Sequence, residues 1–80
     1  MSDYEHIVIS AVRYALGRMT YIVSMTVDYV LKDIGKGKLS KKCLYIIKKD
    51  IENANDLGME CDKKDWERLL NKINEVLGDD

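Results

Sequence analysis

Apolar residues recur at helical spacing along four stretches of this chain, each stretch runs into a glycine, and no proline occurs anywhere. An i, i+3, i+4, i+7 pattern marks an amphipathic helix, and a glycine just past the last apolar position is a common left-handed stop. The first helix is expected to open at Ser2-Asp3-Tyr4-Glu5, where Ser2 and Glu5 have capping-box spacing. Tyr4, Ile7, Val8, Ala11, Val12 and Ala15 then keep the period up to Gly17. Residues 20–23 are ambiguous, because their β-branched content fits an extended lead-in as well as a helix starting at Thr20. Ser24 offers a second N-cap, and Val27, Val30, Leu31 and Ile34 carry the next stripe to Gly35.

Gly35-Lys36-Gly37-Lys38 reads as a basic loop between helices; it lacks the spacing of a phosphate-binding loop and follows no strand. Ser40 is expected to cap a third helix with apolar positions Leu44, Ile47, Ile51 and Ala54, flanked by Cys43 and Leu57 and stopped by Gly58. Asp62 and Asp65 have an acidic capping-box spacing before the broad apolar face of Trp66, Leu69, Leu70, Ile73, Val76 and Leu77. Gly78-Asp79-Asp80 is expected to fray. The expected fold is all-α, a compact bundle of three to four short helices in a single domain over residues 1–80.

Several functional classes are disfavoured by composition. No apolar run approaches the roughly 18 residues of a membrane span, so no membrane attachment is expected, and with no signal peptide in view a reducing cytoplasm is the expected location. Cys43 and Cys61 are 18 residues apart, unlike a redox pair or a disulfide framework, and are read as inert, buried or semi-buried thiols. His6 is the single histidine, which excludes a zinc site built from several imidazoles, and no calcium loop is present. His6 has only its neighbours Asp3 and Glu5 as partners, and these do not form a dyad on a helix. The expectation is a non-enzyme with no cofactor and no metal.

Charge is unevenly distributed. Residues 1–49 carry nine basic and four acidic side chains, whereas residues 50–80 carry four basic and ten acidic ones. The most distinctive chemistry is Arg13-Tyr14-Ala15-Leu16-Gly17-Arg18-Met19-Thr20-Tyr21. Arginine presents a planar fork that matches phosphate or carboxylate, and tyrosine offers a ring to stack a base. Arg13, Tyr14, Arg18, Thr20 and Tyr21, with Asp28 and Lys32 on the next helix, are therefore candidate ligand-binding residues for a nucleotide-type anion. Arg13 could equally pair with Asp28 or Asp33 and tie the first two helices together. A third possibility is a protein–protein surface, where Arg and Tyr are also enriched. The lysines between Lys32 and Lys49 could follow a phosphate backbone. Without a recognition helix and with an acidic second half, direct DNA binding is disfavoured.

Ala11-Val12-Arg13-Tyr14-Ala15-Leu16-Gly17-Arg18-Met19-Thr20-Tyr21-Ile22-Val23-Ser24, with Asp28-Tyr29 after it, resembles a motif of short helical proteins encoded by bacteriophages and prophages. Ile47-x-x-Asp50-Ile51 and Cys61-Asp62-x-x-Asp65-Trp66 share the likeness, which covers about residues 7–70. The resemblance implies a stoichiometric antagonist of bacterial defence acting in the host cell. The first form it suggests is a homo-oligomeric sponge, a dimer or higher, that sequesters a nucleotide immune signal through the residues named above. An alternative resembles an anti-CRISPR protein, with Asp56, Glu60, Asp65 and Glu67 as a DNA-mimicking acidic surface against a host defence nuclease. A small nucleic-acid-binding accessory protein is a further alternative.

Overall fold

The computed structural model describes residues 1–78 and contains four helices: α1 (Asp3–Ala15), α2 (Thr20–Gly35), α3 (Lys41–Glu52) and α4 (Glu60–Leu77). Asp79 and Asp80, expected to fray, lie outside the described residues. The fold is all-α. The helices pack in a ring, α1 on α2, α2 on α4, α4 on α3 and α3 on α1, so α2 and α3 occupy opposite corners. Val12, Val23, Val27, Ile47, Trp66, Leu69 and Ile73 meet at its centre with no exposed surface. Trp66 is the largest fully buried side chain, and its removal to alanine would cost about 3–5 kcal/mol.

Local chemistry accounts for most of the helix ends. Ser2 and Glu5 form the expected capping box on α1. The Glu5 carboxylate reaches further, accepting from the Ser40 backbone N–H at 2.8 Å and its hydroxyl at 2.6 Å. One buried carboxylate thus joins the N-termini of α1 and α3, where both helix dipoles favour negative charge. Hydrogen bonds from Ser40 and Ser2 hold its pKa down at about 2. Ser40 itself caps α3 through the Cys43 N–H.

Four expectations are corrected. The ambiguous residues 20–23 are helical: α2 begins at Thr20, and Ser24 lies inside it rather than capping it. Val23 is fully buried there, and that packing outweighs the β-branched preference for extended backbone. The third helix stops at Glu52 with Asn53 at its cap, well before Gly58. Asn53-Ala54-Asn55-Asp56 is a turn-forming run, and the Asp56 side chain accepts from the Gly58 N–H at 2.8 Å, which favours a turn over another helical one.

The fourth helix begins two residues before Asp62. Asp62 sits in its first turn, almost wholly buried, and accepts from the Met59 N–H at 2.9 Å and the Thr20 hydroxyl at 3.4 Å. It therefore caps α4 and ties it to the start of α2, while Asp65 lies one turn on and pairs with Arg68. Gly58, at φ +88°, is held against this carboxylate. Finally, Cys61 is exposed, whereas Cys43 is buried as expected, and burial pushes the Cys43 thiol up to about 11.

Candidate functional site: the outer face of α1 and α2

The apolar stripe of α1 is wider than the core it feeds. Val8, Val12 and Ala15 turn inward with Glu5 and Ile9, which leaves Ile7 65% exposed and Ala11 open to solvent. On α2 the inward set is Val23, Val27, Val30 and Ile34, which leaves Tyr21, Met25 and Tyr29 at 60–64% exposure. The two leftover stripes border a groove of about 300 Å³ between the helices, walled by Tyr4, Ile7, Val8 and Ala11 on one side and Met25, Thr26, Tyr29 and Val30 on the other. Its lining is almost entirely apolar.

One end of the groove is polar. The Tyr4 hydroxyl donates to the carboxylate of Asp33, which is buried at 3% exposure. That bond, followed by a contact with Tyr29, raises the Tyr4 pKa above its ordinary value. Exposed Tyr14, Met19 and Tyr21 extend the apolar surface past the other end. The remaining exposed large apolar side chains, Met1, Tyr45, Met59 and Val76, lie on other segments. Isolated exposed apolar residues are ordinary, but a contiguous patch on a small domain marks an interaction surface.

Sequence spacing could have found this face. Tyr4, Ile7, Ala11 and Tyr14 are separated by three, four and three residues, and Tyr21, Met25 and Tyr29 by four. Each set is a seam of the kind that pairs helices. Reading the whole α1 stripe as core concealed the α1 seam.

The residues expected to hold a nucleotide do not line the groove. Arg13 forms a two-pronged pair with Asp50 of α3, Nε at 2.7 Å and one terminal nitrogen at 3.4 Å, rather than with Asp28 or Asp33. Arg18 lies over the Tyr14 ring at 4.7 Å, and its Nε donates to the Tyr14 carbonyl at 3.2 Å. Thr20 is turned toward Asp62, Asp28 pairs with Arg68 at 2.8 Å, and Tyr21 and Lys32 stand exposed. Tyr14 and Arg18 are thus brought together, while Arg13 is directed to the opposite flank of α1.

The acidic candidates are dispersed. Asp56 is used in its turn, Asp65 in its pair with Arg68, and Glu60 and Glu67 share the exposed side of α4 with Lys63, Lys64 and Arg68. His6 is exposed on α1. Among the described residues, no three His, Cys, Asp or Glu side chains gather as a metal site, and no helix is long and apolar enough to cross a membrane. No protein-family model matches this chain, and no curated protein or solved structure shows significant similarity to it.

Proposed function

We propose that this protein is a non-enzymatic binding protein that works as a homodimer, its two copies meeting through their α1/α2 faces. The observation that carries the reading is the apolar groove with its two adjacent exposed seams. A single docked helix would cover the groove and leave the outer seams wet. A second α1/α2 pair covers both and completes a four-helix layer with two-fold symmetry. Neither the Tyr4-Ile7-Ala11-Tyr14 seam nor the Tyr21-Met25-Tyr29 seam includes a charged residue, so like surfaces meet without Coulombic cost.

The size is sufficient for a reversible dimer. The 16 residues of α2 span about 24 Å, and two helices side by side present about 20 Å, which gives about 1,000 Å² over both copies. An 80-residue chain also gains from extra burial, because small domains leave much of their surface wet.

The phage-like motif supports a role as a stoichiometric antagonist of a host defence component. A nucleotide sponge is one form of it. Arg18 stacked on Tyr14, with Tyr21 exposed near the start of α2, favours that form, with its site at the rim of the dimer contact.

Sedimentation equilibrium across micromolar concentrations tests the dimer. The expected result is a monomer–dimer equilibrium that shifts to monomer in Met25→Lys, with helical content unchanged. A monomer at every concentration overturns the reading. Thermal shift with cyclic and linear nucleotides tests the sponge: a rise in melting temperature that Arg18→Ala abolishes is expected by mass action, and no rise with any nucleotide removes it.

A further inference from the structure

The outer face of α3 carries a second surface, independent of the dimer contact. Lys42, Tyr45 and Lys49 follow one another on successive turns of the helix, with Lys41 beside them and Lys36 in the preceding loop, whereas Lys38 of that loop lies over the Tyr4 ring at 5.7 Å. Between Lys36 and Lys49 the sequence contains no acidic residue. The nearby acids are largely engaged: Asp33 is buried, Asp50 is held by Arg13, and Glu5 is buried against Ser40 at the start of α3. Among the described residues, Glu52 meets the stripe, reaching Lys49 at 3.4 Å.

Tyr45 is 51% exposed at the middle of these cations, and the Lys49 ammonium lies 5.4 Å from its ring centre. Lys41 and Lys42 occupy the first turn of α3, which holds no acid of its own. The helix dipole there is answered by the Glu5 carboxylate, which accepts from the Ser40 N–H and hydroxyl. The field offered to anions therefore comes from the exposed lysines themselves. α3 is diagonal to α2 across the ring, and no contact between them closes off its outer side.

We infer that this face binds single-stranded nucleic acid, with Lys36, Lys41, Lys42 and Lys49 along the phosphates and Tyr45 stacked on a base. An aromatic platform set among cations is the arrangement single strands use without sequence readout. A duplex offers no unstacked base to Tyr45.

The test is fluorescence anisotropy of a labelled single-stranded oligouridylate against the full chain, from low to near-physiological salt. Four phosphate contacts predict a slope of log affinity against log salt of about −3. Tyr45→Ala is expected to weaken binding about 5- to 100-fold at constant salt. The double charge reversal Lys42→Glu with Lys49→Glu is expected to abolish binding, and circular dichroism checks the fold of each variant. No binding at low salt, or binding unchanged in these variants, overturns the inference. So does equal or tighter binding to a duplex of the same length, or a preference for anionic phosphatidylserine vesicles, since either would mean an undirected cationic surface. Because Met25→Lys leaves α3 intact, that variant should bind RNA like the parent chain, which separates this inference from the dimer.

Discussion

Gly58→Ala should destabilise this protein far more than Gly37→Ala, although both glycines have positive φ. Gly37, at φ +68°, has open space where a Cβ would stand. Its substitution costs only the left-handed conformation, about 1–2 kcal/mol. At Gly58, φ +88°, the same Cβ would fall 2.4 Å from Asp62 Oδ2 and 3.1 Å from its Cβ and Cγ. Rotating the carboxylate relieves only the first of these contacts, so Asp62 must shift as a whole.

That shift loosens its bonds from the Met59 N–H and the Thr20 hydroxyl. A lost cap costs about 1 kcal/mol, and a buried acceptor left short of partners about 1–3 kcal/mol. The total at Gly58 is about 3–6 kcal/mol, about 2–4 kcal/mol beyond Gly37. For a domain of this size the gap corresponds to about 8–32 °C in melting temperature.

Urea and thermal unfolding followed by far-UV circular dichroism read both variants against the parent. Adding Asp62→Ala to Gly58→Ala should cost less than the sum of the single changes, because alanine at 62 removes the Oδ2 and Cγ contacts and leaves only the 3.1 Å contact with Cβ. Equal losses at the two glycines, or strict additivity in the double variant, would refute the role given to the Gly58–Asp62 contact.

Glu5 makes stability acid-sensitive in a defined window. Its carboxyl is lowered from 4.5 to about 2 by Ser40 and Ser2, so the stabilisation is complete above pH 4.5 and is lost as pH falls toward 2. Acid titration of the unfolding midpoint should show this fall, and Glu5→Gln should flatten it. The two thiols should separate in reactivity: Cys61 reacts with a disulfide reagent in the native state, while Cys43, buried and raised to about 11, reacts only on unfolding. Fast reaction of both would contradict the packing of α3. Arg13→Ala should change stability by less than about 1 kcal/mol, since its pair with Asp50 is solvent-facing; a larger loss in urea unfolding would show that the pair is a structural tie between α1 and α3.

The sequence alone determined the helical class, the capping of α1 by Ser2 and Glu5, the Ser40 cap, the break at Gly17 and the end of α2 near Gly35, where Gly37 rather than Gly35 is left-handed, because these depend on residues within a turn or two of each other. Packing decided which residues of each stripe face inward. Ile7 and Ala11 fit the helical period as well as Val8 and Val12 do, and only the positions of α2 and α3 leave the first pair outside. The same limit applied to electrostatics. Arg13 had acidic candidates on α2, but its partner, Asp50, lies on α3, 37 residues away. Asp62 read as an N-cap from its neighbours, whereas its contact with Thr20 and the cradle at Gly58 exist only once α2 and α4 are side by side. Local chemistry is written in residue order, but the exposed face and its charge partners are what remain after distant helices have covered the rest.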